Sequence, residues 1–257
     1  MRSERVAKLE KTKTRMAADD HAEPEKRVEQ WAFMSLEITA INPTVKPPGW
    51  LRVKSGSAPV AILHPIEARG LSIRVGDALT PGLARRLRDA ESRSTTRLEA
   101  ERLLARRAHS ASRLTQLLHA KVPDQVAVAA VVRSLTEAGA IDDGALAAAM
   151  AARAVARGES QAHARRAIEQ AGIPALVARR AVNGAAAECG HTDGQRAFAL
   201  IRSHMRPSLS RMPDYVQRRR LAGVLARKGF DDDTIESAMQ AALGPAPLRF
   251  ADESTRE

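Results

Sequence analysis

The stretch Ser160–Ile173 reads SQAHARRAIEQAGI and carries the pattern that decides the fold. Its apolar residues recur every three or four positions, which puts Ala164 and Ile168 on one face of an α-helix. Serine is a favoured N-cap because its hydroxyl accepts a bond from a free backbone N–H, and glycine just past the last turn ends a helix. The stretch therefore predicts a helix that begins after Ser160 and ends before Gly172.

The same helix ending occurs three times along the chain. Ile168–Ile173 (IEQAGI) and Leu225–Phe230 (LARKGF) place an apolar residue, a glycine and an apolar plug in one register. Leu117–Val122 has the same spacing, with Lys121 where the glycine would be. The three plugs lie 51 and 57 residues apart, which predicts three copies of a three-helix unit. Such units bury their faces against neighbours, so we expect an elongated, curved array.

Ahead of the repeats, short apolar runs are separated by proline and glycine. The runs are Leu36–Ile41, Trp50–Val53, Pro59–Leu63 and Leu71–Val75. Short runs with turn residues between them predict a small strand meander, and Thr80-Pro81 predicts a helix through about Ala90. The fold class expected is mainly α, with a small β-containing segment before the array.

These patterns divide the chain into six parts. Residues 1–30 carry eight basic and seven acidic side chains with few large apolar ones, which predicts a disordered tail. The expected parts are a charged tail at 1–30, a strand-plus-helix segment at 31–96, repeats 1, 2 and 3 at 97–142, 143–189 and 190–244, and a flexible tail at 245–257.

Composition limits the classes of protein that fit. In a chain of 257 residues only 3% are aromatic, which argues against a sandwich or barrel. The single cysteine, Cys189, excludes an intramolecular disulfide and fits a reducing cytosol. No stretch approaches the roughly 20 apolar residues of a membrane span, and the N-terminus lacks a secretory apolar region. We expect a cytoplasmic protein that does not contact membranes.

The positive charge is concentrated in the repeats. Residues 97–230 hold 22 basic and 11 acidic side chains, so this part alone carries the chain's formal net charge of +11. Guanidinium groups bind phosphate and carboxylate in bidentate fashion, so arginines along a helical array favour contact with nucleic acid or an acidic protein surface. A solvated helix face in an arginine-rich protein is the alternative. The predicted contact residues are Arg153, Arg157, Arg165, Arg166, Arg179, Arg180, Arg218, Arg219 and Arg220.

Other polar clusters have simpler interpretations. Asp142-Asp143 and Asp231–Asp233 each precede an apolar helical stripe, so helix capping is favoured over a metal site. Cys189-Gly190-His191 lacks the further ligands of a zinc site. The sequence contains no phosphate-binding glycine loop, nucleophile elbow or His-Glu-x-x-His motif. We therefore predict no enzymatic activity, no cofactor and no metal.

Over about residues 97–243 the order and spacing of these stretches resemble the RecX regulators of the RecA recombinase. The segment around Gly76-Asp77, ahead of a helix, is also similar to the extension of longer family members. The matching stretches are Leu103–Ser110 (LLARRAHS) followed by Leu114 and Leu118, Glu137–Asp143 (EAGAIDD) followed by Leu146, Arg153–Gly158, Gly172-Ile173, and Lys228–Phe230 followed by Ile235.

The resemblance implies a non-catalytic modulator, and we expect the chain to be a monomer. Its partners would be the RecA recombinase and the recombinase filament on DNA, with weak direct DNA contact, and it would limit filament growth, ATP hydrolysis and strand exchange. The rival hypothesis is a basic helical DNA-binding protein that acts independently of the recombinase. That protein would bind bare DNA tightly, with a steep dependence on salt.

Overall fold

The computed structural model describes residues 36–245, which divide into two compact units, with the boundary along the chain between Leu98 and Glu99. The described residues contain eleven helices and one three-stranded sheet. The mainly α class with a small β-containing segment before tandem helical repeats is thereby confirmed. The tails predicted at 1–30 and 245–257 lie outside the described residues, apart from residue 245.

The first unit is a small antiparallel sheet with two helices. Its strands are β1 (Ala40–Pro43), β2 (Leu51–Ser55) and β3 (Ala58–Leu63), in the order β1-β2-β3, and its helices are α1 (Pro65–Leu71) and α2 (Pro81–Leu104). Side chains of α2 satisfy the outer edge of β3, because Glu91 accepts the Ile62 N–H at 3.0 Å and Ser94 accepts the His64 N–H at 2.8 Å. The core includes fully buried Ile38, Val53, Leu63 and Leu87.

The structure confirms the meander and corrects two of its details. The run Leu71–Val75 is not a strand, since Leu71 ends α1, a helix that His64 caps and Pro65 opens. The helix expected to stop near Ala90 continues to Leu104. No glycine or proline follows Gly82 within α2, and the hydroxyls of Ser94 and Thr96 bond to carbonyls of their own helix, so nothing interrupts it.

The second unit consists of three helical repeats in chain order. Repeat 1 comprises the last turns of α2 with α3 and α4, repeat 2 comprises α5 to α7, and repeat 3 comprises α8 to α11. The helices are α3 (Ala111–His119), α4 (Gln125–Glu137), α5 (Asp143–Ala156), α6 (Gln161–Gln170), α7 (Ala175–Cys189), α8 (Asp193–His204), α9 (Pro207–Ser210), α10 (Asp214–Arg227) and α11 (Asp232–Leu243). The short helix α9 lies in the connection between α8 and α10.

Each repeat has its own hydrophobic core. Leucine and valine fill repeat 1, for example Leu114, Leu118 and Val131. Repeat 2 is filled mainly by alanine, which lets its helices approach closely, and repeat 3 again by larger side chains such as Leu221 and Phe230. Separate cores leave the contacts between repeats to the helix ends.

The helix ending seen in the sequence is a left-handed glycine turn. Gly172 and Gly229 have φ of +84° and +80°, and the residue after each donates its N–H five positions back, Ile173 to Ile168 and Phe230 to Leu225. This is the Schellman arrangement, in which the apolar plug folds back onto the helix. At Lys121 φ is not positive, and the Val122 N–H donates four positions back, to Leu118, so this turn lacks the Schellman bond.

Candidate partner-binding surface

The structure places eight of the nine predicted contact arginines on the surface. Arg153 lies in the last turn of α5 and Arg157 just after it. The arginine pairs on α6, α7 and α10 lie on helices whose opposite positions are buried. The exposed members are Arg153, Arg157, Arg165, Arg166, Arg179, Arg180, Arg219 and Arg220. That they line a single face stays a prediction.

Arg218 has a different environment from its neighbours. Its side chain is 18% exposed, and its Nε donates to Asp214 at 2.7 Å. Its Nη2 donates to the carbonyls of Gly244 at 3.0 Å and Pro245 at 3.2 Å, just past the end of α11. Arg218 therefore ties α10 to the C-terminal end of α11, so its guanidinium is already occupied inside repeat 3.

The contact between repeats 1 and 2, here called joint 1–2, is centred on Ser110. The Ser110 hydroxyl caps α3 by accepting the Arg113 N–H, and it donates to the Ala171 carbonyl of repeat 2 at 2.5 Å. The next amide, Ala111 N–H, donates to Asp143 Oδ1 at 2.9 Å. An amide in the first turn of a helix has no acceptor within that helix, so Asp143 supplies the missing one from the neighbouring repeat.

The contact between repeats 2 and 3, here called joint 2–3, repeats this arrangement around Ser160. Its hydroxyl caps α6 and donates to the Gly229 carbonyl at 2.6 Å, while its own N–H donates to the Lys228 carbonyl at 3.0 Å. The Gln161 N–H donates to Asp193 Oδ2 at 3.1 Å. The backbones lie so close that a Cβ on Gly229 would be 2.5 Å from His163 Cβ.

Sequence reasoning missed both joints. It interpreted Asp142-Asp143 as caps, and Asp142 is the cap, since it accepts the Ala145 N–H at 2.8 Å, but Asp143 reaches to repeat 1. The signal lies in the spacing, since serine and aspartate are 33 residues apart in both joints and this pair recurs after 50 residues. The capping prediction for Asp231 is confirmed by its bond from the Thr234 N–H.

Cationic groups from two repeats meet at joint 2–3. Lys228 of repeat 3 donates from Nζ to the Arg157 carbonyl of repeat 2 at 2.8 Å. The Arg157 guanidinium donates two hydrogen bonds to the Glu159 carboxylate, from Nε to Oε1 at 2.8 Å and from Nη2 to Oε2 at 3.1 Å. That hydrogen bond, together with the charges of Arg157, His163 and Lys228, lowers the pKa of Glu159 against the opposing effect of burial. One carboxylate thus lies among several cations, and the surface there stays basic.

Joint 1–2 has a histidine at the position of that carboxylate. His109 precedes Ser110 as Glu159 precedes Ser160, and only 8% of its surface is exposed. Burial lowers the pKa of His109, and the positive charges of Arg107 and Arg113 lower it further. Both effects favour the neutral form of His109 next to the joint.

The remaining candidates form no reactive centre in the described part of the chain. Cys189 ends α7, with its Sγ 3.5 Å from Nδ1 of His191. No three His, Cys, Asp or Glu side chains within residues 36–245 are grouped closely enough to hold a metal ion. In the same residues no helix combines the length and the apolar character needed to cross a bilayer.

No family model matches the chain. Individual proteins are similar to it in sequence and in fold. The regulatory protein RecX of Chlorobaculum tepidum is 30% identical over 162 residues, which cover 63% of this chain and 96% of that protein. The regulatory protein RecX of Stenotrophomonas maltophilia strain K279a is 34% identical over 137 residues, covering 53% of this chain and 80% of the relative.

A crystal structure of a regulatory protein RecX superimposes with a TM-score of 0.63, covering 78% of this chain and 97% of that one. At 15% identity this match shows a shared fold. The sequence relatives carry the assignment, because the Chlorobaculum tepidum protein is matched over nearly its whole length. The chain belongs to the RecX family.

Proposed function

We propose that the chain is a non-catalytic regulator that binds the RecA recombinase and its filament on DNA, and limits filament growth, ATP hydrolysis and strand exchange. We also propose that the chain is a monomer and acts in the cytoplasm. The observation that carries it is the set of exposed arginines on repeats 2 and 3 of a RecX-family chain.

The charges of repeat 3 support a protein partner over bare DNA. Its helix α10 presents exposed Arg219 and Arg220, whereas α11 begins with Asp232 and Asp233, follows with Glu236, and contains no basic residue. A bare polyanion is attracted to α10 and repelled by the start of α11. A protein surface that carries charges of both signs can be complementary to both helices.

The test reverses exposed charge without disturbing packing. R219E/R220E leaves the internal bonds of Arg218 intact, and we expect it to weaken inhibition of recombinase ATPase at least about tenfold, as loss of two charged contacts would. The matched control is R85E/R88E, the same charge change on the exposed face of α2. Equal inhibition by the two double variants, both with unchanged circular dichroism, would remove Arg219 and Arg220 from the contact surface.

The rival function, a DNA-binding protein independent of the recombinase, has its own measurement. Co-sedimentation with recombinase filaments is compared with binding to single-stranded DNA alone over a salt series. Under the proposal the filament is bound well and the bare strand weakly. Tight binding to the bare strand, with a log–log salt slope of about −0.7 for each phosphate neutralised, would favour the rival.

A further inference from the structure

One face of α8 turns toward repeat 2. Asp193 on this face accepts the Gln161 N–H, and two turns later the Leu200 side chain closes on Gly158, where a Cβ would lie 3.2 Å from Leu200 Cδ2. Residues three and four apart share a helix face, so Arg196 lies between these two contacts. Arg196 is 6% exposed, so a buried cation lies on the face of α8 that contacts repeat 2 before and after it.

The hydrogen bonding of Arg196 is incomplete. Its Nη2 pairs with Asp193, whose other oxygen accepts the Gln161 N–H. Its Nε and Nη1 are buried and have no hydrogen-bond partner among residues 36–245. Buried donors without acceptors lose the hydration that they have when exposed, and a charged group loses more than a neutral one.

Joint 1–2 offers the matched comparison within the same chain. The position equivalent to Arg196 on α5 is Leu146, three residues after Asp143, and Leu146 packs against the core of repeat 2. Closing joint 1–2 therefore leaves no guanidinium without acceptors at this position. Joint 2–3 also has two bonds beyond those it shares with joint 1–2. The first, from the Ser160 N–H to the Lys228 carbonyl, joins neutral groups and stabilises by less than burial of unsatisfied charged donors costs. The second, from Lys228 Nζ to the Arg157 carbonyl, is exposed, so water replaces it readily when the joint opens.

We infer that joint 2–3 is a hinge, which opens in the folded chain more readily than joint 1–2 because opening hydrates Arg196. Opening separates the Ser160 and Gln161 amides from their acceptors in repeat 3 while the cores of repeats 2 and 3 stay intact. It also changes the distance between the exposed arginines of repeat 2 and those of α10. The inference rests on the fold alone and stands whether or not the recombinase is the partner.

Two backbone amides report the two joints directly. Ala111 and Gln161 are each the first residue of a helix, each follows a capping serine, and each donates only to a carboxylate of the next repeat. Their hydrogen exchange, corrected for intrinsic rates and measured by NMR on the full chain, therefore measures opening of the two joints. We expect Gln161 to be protected at least about tenfold less than Ala111, the scale of one unsatisfied buried donor.

Substituting the hinge residue tests the cause. R196L gives joint 2–3 the side chain of joint 1–2, and we expect it to raise protection of Gln161 about tenfold and to leave Ala111 unchanged. R196M serves as a second variant of different shape, and L146R should lower protection of Ala111 as the reverse change. Equal protection of Gln161 and Ala111 in the unsubstituted chain would overturn the hinge. So would unchanged Gln161 protection in whichever of R196L and R196M retains the helical circular dichroism signal.

Discussion

Joint 1–2 and joint 2–3 share two kinds of hydrogen bond; joint 2–3 has a third, from the Ser160 N–H to the Lys228 carbonyl, and the side chains around the two joints differ. In both, a capping serine donates to the end of a middle helix and the next amide donates to an aspartate of the following repeat. Around this shared frame, His109 is replaced by Glu159 and Leu146 by Arg196. The backbone bonds fix how the repeats dock, while the surrounding side chains set how firmly each joint closes and how it responds to pH.

Close backbone approach gives the largest expected difference between the joints. A Cβ on Gly229 would be 2.5 Å from His163 Cβ, whereas one on Gly172 would be 3.1 Å from the Ser110 hydroxyl. We expect G229A to lower the free energy of unfolding by about 3 kcal/mol and G172A by about 1–2 kcal/mol, through left-handed strain plus overpacking. Urea denaturation measures both.

Gly139 supplies the control for strain alone. Its φ is +72° and a Cβ there would meet no atom within 4 Å. We expect G139A to cost about 1 kcal/mol, the strain by itself. A loss in G229A no larger than that in G139A would show that joint 2–3 is not closely packed at this point.

The two serines test whether the joints share their hydrogen-bond frame. S110A and S160A each remove a helix cap and a bond to the next repeat, so we expect each to cost about 1–2 kcal/mol in the free energy of unfolding. D231A removes only a cap, since Asp231 bonds the Thr234 N–H of its own helix, and should cost about 1 kcal/mol. Serine variants that cost less than D231A would contradict a bond across the joints.

Acidification should weaken joint 1–2 before joint 2–3. We expect its effect on the free energy of unfolding to be smaller than that of the glycine or the serine substitutions. Because burial lowers the pKa of His109 in the folded chain, the unfolded chain binds more protons, and stability falls as pH drops below about 6.5. Because Arg157 lowers the pKa of Glu159, the stability due to that carboxylate is present above pH 4.5 and is lost only below it.

The measurement is the free energy of unfolding between pH 7 and pH 5, compared with that of H109Q and E159Q. We expect the pH dependence in this range to be reduced in H109Q and unchanged in E159Q. The same slope in H109Q as in the unsubstituted chain would show that His109 is not the group that titrates.

The repeats and their helix ends could be predicted from sequence because the signals are local. Caps such as Ser160 and the glycine turn at Gly172 act within one or two turns, so the residues themselves specify them. The sequence does not predict that α2 is one continuous helix. Its apolar pattern changes near the boundary between the two units, and no glycine or proline there shows whether one helix ends or continues. The role of Asp143 was not anticipated either, because an aspartate before an apolar stripe looks the same whether it caps its own helix or reaches another.

The arginines predicted as contact residues also include some whose environment the sequence indicates and some whose environment it does not. That Arg219 and Arg220 are exposed follows from helical period, whereas the same run of three arginines gives no sign that Arg218 is bonded to Asp214, Gly244 and Pro245. Lys228 joins the basic surface of repeat 2 only because joint 2–3 brings it to Arg157. Neither contact has a signal within a few residues of sequence.

By itself the amino-acid sequence determined the mainly helical class, the three repeats, the small sheet and the location of the positive charge. These depend on periodicity, capping and composition, which act between residues near one another in the chain. Only the tertiary structure decided which polar groups meet across the joints, and that Arg196 is buried with two donors unpaired. Residues 32 to 71 positions apart become neighbours only once whole helices have packed, and burial and hydrogen bonding are properties of that packing.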